Sequence, residues 1–254
     1  MQDYQPSPDL LAERVILVTG AAEGVGQAVA RACAAHGATV ILSGFDEERL
    51  NSVYDEIESA GGPQPATLPL DLENADESLY LGIANTIGDE FGRLDGLVHC
   101  ATFVPFLSRI DDYDAAQWER VLRINLTAPF LLTQATLPLL RAAEDASVVF
   151  TADRVGRKGL AYWGAFSAAK FGIEGLMQTL AEETRDSSRI RVNSLDPGVV
   201  RSAQRRELYP GEDPTTLPSP DTVAPSYLWL LGPDAQGTTG QALSASPGQV
   251  RADA

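Results

Sequence analysis

The stretch from Val148 to Lys170 holds the residues with the plainest chemical use: Asp153, Tyr162 and Lys170, with Phe166 four positions before the lysine. A carboxyl, a phenol and an ammonium can carry or stabilise charge. Phe166 can do neither, and proton transfer to a reacting group needs a side chain that ionises. Asp153, if ionised, sets negative charge where a carbonyl oxygen would gather its own; burial could instead raise its pKa and make it an acid. Tyr162 precedes Phe166 by one helical turn on a similar face, about 6 Å back along the axis. A second constellation is Thr19-Gly20-Ala-Ala-Glu23-Gly24-Val25-Gly26. Glycines there let the backbone approach a pyrophosphate, and a helix start behind them supplies free N–H groups and positive partial charge. No Ser-His-Asp arrangement and no metal-ligand spacing stands out. His99 reads as structural and His36, at a helix end, as solvated or capping; Cys33 and Cys100 fall in different elements, so nothing pairs them.

The elements that must position these groups alternate along the chain. Val15–Val18 is an apolar run too short for a helix and reads as a buried parallel strand. A helix follows over about 25–36, stopped by Gly37. Further strands are predicted at 39–43, 67–70, 94–99, 147–151, 190–195 and 242–245. Helices are predicted at 46–60, 75–91, 115–142, 162–185 and 221–231. Residues 1–13 read as an arm on the domain edge. Residues 197–220 carry five of the sixteen prolines without periodicity and read as a mobile loop over a site. This alternation predicts one α/β domain over 1–254, a doubly wound, Rossmann-type parallel sheet with ligands at the carboxyl ends of its strands.

Composition bounds the partners. The chain has 254 residues, 44% of them hydrophobic, enough for one sizeable core. A net charge of −16 argues against nucleic acid and against anionic membrane surfaces. No run of apolar residues is long enough to span a membrane. The first residues show neither a basic nor an apolar leader region, so a reducing cytoplasm is the predicted location.

The layout resembles the short-chain dehydrogenase/reductase family. The Thr-Gly-x-x-x-Gly-x-Gly spacing, Asp71-Leu72 after the third strand, Asn125 in Arg-Ile-Asn-Leu, Lys170, and Pro197-Gly198 after the sixth strand all match it. The Tyr-Gln-Pro arm, Trp163-Gly-Ala and the Tyr227-to-Gly248 ending look like its YciK-like bacterial oxidoreductases. The resemblance implies a seven-stranded sheet in the order 3-2-1-4-5-6-7 with three helices on each face. It implies adenine contacts at Asp71 and Leu72, a cofactor wall at Ala101, nicotinamide contacts at Pro197 and Gly198, and a ribose held by Lys170. In the family a Tyr exchanges the proton and a Ser thirteen residues earlier bonds the substrate oxygen, while the Asn orders a water relay. Here those two positions hold Phe166 and Asp153. His99-Cys100-Ala101-Thr102 also stands where the family has an Asn and a Gly.

Two readings follow. One is a dinucleotide-binding scaffold that has lost redox chemistry and serves a binding or partner role. The other is an active oxidoreductase on a small carbonyl or alcohol, with Tyr162 or Asp153 as a replaced acid. Neither Gly44 nor Phe45 carries the charge that usually sorts the two cofactors. Glu23 would repel a 2′-phosphate and Asp46 could reach a ribose or cap its helix, so NAD is expected over NADP, with no cofactor at all as the remaining case. An ion pair between Asp153 and Lys170 is the structural alternative for those residues. The helices at 115–142 and 162–185 carry apolar residues on more than one face (Phe130, Leu131, Leu132; Phe171, Ile173, Leu176, Met177). The family uses these helices to form dimers and tetramers, so a homodimer or homotetramer is expected.

Overall fold

A computed structural model describes residues 4–186, 189–246 and 249–252. Its strands are β1 (Val15–Thr19), β2 (Thr39–Gly44), β3 (Ala66–Pro69), β4 (Gly96–His99), β5 (Ala146–Thr151), β6 (Ile190–Asp196), β7 (Ala242–Ser246) and β8 (Gln249–Ala252). They form one sheet in the order β3-β2-β1-β4-β5-β6-β7-β8. The first seven run parallel, as expected, and β8 is an unforeseen antiparallel addition to β7. Pro247 and Gly248, part of the resemblance, lie outside the described residues. The helices are α1 (Gly24–Ala35), α2 (Glu47–Ser59), α3 (Glu77–Phe91), α4 (Ala115–Leu122), α5 (Ala128–Ala142), α6 (Gly164–Thr184), α7 (Ala203–Leu208) and α8 (Ala224–Leu231).

Strand β1 is buried throughout because helices cover both faces of the sheet. Successive side chains point to opposite faces. Ile16 and Val18 join the cluster built on α1, α2 and α8. Val15 and Leu17 join the one built on α3, α5 and α6. The arm packs as expected at its described part: Leu11 is fully buried and its N–H donates to the His36 carbonyl at 2.9 Å.

Local signals set the helix ends. Asp46, Asp76 and Asp114 accept from the backbone N–H three residues on and start α2, α3 and α4, each such cap contributing about 1 kcal/mol. Gly92, at φ 72°, ends α3. The helix predicted over 115–142 is interrupted: a π turn, Arg123–Thr127, separates α4 from α5. A short helix, α7, lies inside the segment read as loop, where Ser202 caps it by accepting from Arg205 N–H.

At the amino-terminal edge of the sheet, Asp145 pairs with Arg14 and with Arg191. Arg191 Nη1 donates to the Leu230 carbonyl at 2.6 Å and Arg14 Nη1 to that of Leu231 at 2.8 Å. Cations at a helix carboxyl end satisfy open carbonyls and complement the dipole, so this cluster pins the last turn of α8.

His99 ends β4 as a structural residue. Its ring stacks on Phe150 with centroids 4.8 Å apart, and Nε2 lies 2.8 Å from Thr133 Oγ1. Burial, helped by the Lys170 charge, pushes its pKa from 6.5 down to about 3. The unfolded chain therefore takes up a proton that the fold refuses. The stabilisation is complete above pH 6.5 and is lost as pH falls toward 3. Between about pH 6.5 and 5 this residue alone should remove about 2 kcal/mol. Urea unfolding at both pH values should show a smaller difference for His99→Gln than for the natural chain; equal differences would count against it.

Candidate active site

A cavity of about 1030 Å³ opens at the carboxyl ends of the strands. The β1–α1 turn forms one wall with Gly20, Glu23, Gly24, Val25 and Gly26. A Cβ on Gly26 would lie 2.2 Å from the Gly20 carbonyl oxygen, and one on Gly20 2.8 Å from Ala101 Cα. The turn can fold this tightly only without side chains. Gly24 has nothing within 4 Å of such a Cβ, which leaves its backbone open toward the cavity. Thr19 Oγ1 accepts from Cys100 and Ala101 N–H, both at 3.2 Å, and fixes the opposite wall.

The next stretch of wall is charged. Asp46, Arg49, Asp71, Leu72 and Ala101 line it. Asp46 is an N-cap, its Oδ1 accepting from Arg49 N–H at 3.1 Å, and it also pairs with the Arg49 guanidinium. Glu23 Oε2 accepts from Arg49 Nη1 at 2.6 Å. Asp71 accepts from Glu73 N–H and the Asn74 amide, which shapes the loop after β3. Arg49 is a charged residue of this wall that position-by-position reading of Gly44 and Phe45 passes over.

The floor holds Asp153, Phe166, Lys170, Pro197 and Gly198. Lys170 is 4% exposed and its Nζ donates to the Thr151 carbonyl at 2.8 Å. Burial lowers its pKa, and the negative fields of Asp153, Cys100, Asp196 and Glu174 oppose that. The ion pair with Asp153, the structural alternative for these residues, does not form: among the described residues Lys170 has no carboxylate within bridging distance. Asp153 Oδ1 instead accepts from Val155 N–H at 2.9 Å and starts the turn Arg154–Gly156. That turn packs directly on Lys170, since a Cβ on Gly156 would lie 2.6 Å from Lys170 Cβ.

Two candidate residues stand elsewhere. Tyr162 is outside α6, which begins at Gly164; it is 56% exposed, has φ 75°, and does not line the cavity. Because α6 begins only at Gly164, no helical turn sets Tyr162 behind Phe166. Its carbonyl accepts from Ser108 N–H and ties two loops together. Asn125 is also away from the cavity wall, 1% exposed in the π turn. Its Oδ1 accepts from Thr102 Oγ1 and Phe103 N–H, and its Nδ2 donates to the Phe103 and Val121 carbonyls, at 2.8–3.1 Å. The amide is spent on positioning the loop after β4, and Thr102, at the family's Gly position, supplies one of the four bonds.

Sequence reading also missed the hydroxyl chain beneath the floor. Thr151 Oγ1 lies 3.2 Å from Cys100 Sγ and 3.0 Å from Tyr227 Oη. Burial pushes the Cys100 thiol up to about 11 and the Tyr227 phenol further above its ordinary range. Asp196 Oδ1 accepts from Gly198 N–H, and burial raises its pKa. Among the described residues no group of His, Cys, Asp or Glu is placed to hold a metal.

The family model for short chain dehydrogenase matches residues 14–213. The chain belongs to the short-chain dehydrogenase family. The uncharacterized oxidoreductase YciK of Escherichia coli K12 is 43% identical over 246 residues, 97% of either chain. Two solved short chain dehydrogenases superpose on this family member with 42% identity. One, from Shigella flexneri 2a, is complexed with NADP and has a TM-score of 0.91, covering 94% of this chain and 99% of that one. The other, from E. coli CFT073, is complexed with NADPH and has a TM-score of 0.92, covering 95% and 100%. These complexes overturn the expectation of NAD over NADP. Glu23 is not a free charge: Arg49, which it shares with Asp46, pairs with it and sets a guanidinium on the same wall.

Asn125→Ala should cost about 3 kcal/mol, because it strands buried partners as well as losing bonds. Urea unfolding measures it; a loss below about 1 kcal/mol would remove Asn125 as the anchor of that loop.

Proposed function

We propose that the chain binds NADP(H) in this cavity and does not run the Tyr- and Ser-dependent carbonyl and alcohol chemistry of its family. The observation that carries the first part is the wall itself: an open glycine turn, Arg49 in the first turn of α2 and the buried Lys170 ammonium line one cavity. In doubly wound sheets the pyrophosphate sits on that first turn, and a nearby Arg accommodates a 2′-phosphate. Lys170 would hold the nicotinamide ribose; Ala101, Pro197 and Gly198 would flank the ring. Bound nicotinamide supplies a hydride with its electron pair. The second part rests on Phe166, which has no proton to give beside Lys170, and on Asp153, whose carboxylate opposes an alkoxide. The segment 197–220, with α7, would move over the cavity as the cofactor enters. A reducing compartment, the cytoplasm, suits the two buried free thiols, Cys33 and Cys100.

Arg49→Ala should weaken NADPH binding about tenfold and NADH binding by less than about twofold, read by calorimetry. Equal losses would mean that Arg49 does not meet the 2′-phosphate. If neither dinucleotide binds, a partner-binding role remains.

The double change Phe166→Tyr with Asp153→Ser should create ketone-dependent NADPH oxidation, followed at the dinucleotide absorbance band. Each single change should do less, since both groups act on one oxygen. Robust ketone turnover by the natural chain would refute the loss of carbonyl chemistry.

Phe130 on α5 and Phe171 on α6 are 41% and 48% exposed, while Leu132, Ile173 and Met177 are buried. We propose that the exposed pair meets a second copy, giving a homodimer or homotetramer. Light scattering at micromolar concentration should return at least twice the chain mass; a monomer would exclude it.

A further inference from the structure

Asp153 gives the chemical end of the cavity a carboxylate where the reacting group of a substrate must lie. It shares that end with Lys170 and the rings of Phe166 and Trp163, whose centroids are 5.7 Å apart. Lys170 Nζ donates to the Thr151 carbonyl and Arg205 pairs with Glu212 at 2.6 and 2.8 Å, and among the described residues neither forms an ion pair with Asp153. The Phe166 ring already carries Lys170 Nζ at 5.3 Å, so a carboxylate and the Trp163 ring lining one cavity are the groups that would recognise a further cation. Phe166 cannot deliver a proton, and the Cys100 thiol is buried against Thr151 Oγ1 at 3.2 Å.

We propose that this site reduces a cationic iminium, the protonated form of a cyclic imine, using NADPH. This deepens the NADP(H) reading and rests on it. The iminium carbon gains a hydride with its electron pair, the carbon–nitrogen π pair becomes the nitrogen lone pair, and the product is a neutral amine. No proton moves in that step, so Phe166 is no obstacle. One positive charge arrives with the substrate, and one resides on the oxidised dinucleotide afterwards. Asp153 therefore faces a cation throughout, whereas a ketone would leave it facing an alkoxide with no acid to quench it.

The test uses the full chain, NADPH, and two cyclic imines of different size, 2-methyl-1-pyrroline and 3,4-dihydroisoquinoline, with cyclopentanone as the neutral comparison. At least one imine should oxidise NADPH more than about tenfold faster than cyclopentanone, and Asp153→Asn should lower that rate about tenfold or more, with Asp153→Glu recovering part of it. A second readout is independent of turnover. The secondary ammonium products, 2-methylpyrrolidinium and tetrahydroisoquinolinium, should bind the natural chain in calorimetry, and Asp153→Asn should weaken the tighter one about tenfold. NADPH binding with no imine turnover overturns the inference alone. So does imine turnover or ammonium binding that Asp153→Asn leaves unchanged. Failure of NADPH to bind overturns the cofactor reading and this inference with it.

Discussion

A lysine ammonium buried at 4% exposure is the constraint around which this molecule is arranged. Such a charge is tolerated only with strong acceptors close by. The carbonyl of Thr151, the last residue of β5, is the acceptor given to Lys170. Parallel strands bring that carbonyl and the ends of β1, β4 and β6 to one edge, so the lysine lies beside the glycine turn without any dedicated loop. The Asp153 and Asp196 carboxylates supply field rather than contact. The ammonium keeps a negative surround while its remaining donors stay open to the cavity.

Thr151 is the second half of that arrangement. Its carbonyl serves Lys170 on α6, and its hydroxyl serves Cys100 on one side and Tyr227 of α8 on the other. One residue thus couples the two helical layers through the sheet. Asn125 does comparable work for the loop after β4, where four hydrogen bonds hold a π turn that regular i to i−4 bonding would have closed.

What could be read in the chain, and what could not, follows the range of each signal. The seven parallel strands were legible because apolar runs of four to seven residues bounded by Gly or Asp have few other uses. Asp46 was legible as a cap candidate from its place before a charged amphipathic stretch. Arg49 was not, since its meaning comes from lying one turn along α2, on the face that meets Glu23 from a different element. The start of α6 was set two residues early, and Tyr162 was drawn into the site by that error alone. The π turn leaves no periodic trace, as five residues are too few to shift an apolar pattern. Thr151 and Tyr227 lie 76 positions apart, beyond the reach of any local spacing rule.

The stretch of α8 from Tyr227 to Leu231 has a length that cannot vary. Its Tyr227 hydroxyl meets Thr151 at the carboxyl edge, and its last carbonyls are gripped by Arg14, Arg191 and Ser147 at the amino edge. Tyr227 lies three residues before Leu230, about 4.5 Å along the axis, and each residue added between them would turn Tyr227 by about 100° relative to the grip. A single insertion between Tyr227 and Leu230 would swing the phenol away from Thr151 while leaving the arginines in place. The helix is in that sense a gauge: the distance between the two edges, and the rotational phase of the residue under the lysine, are fixed together by one count of residues.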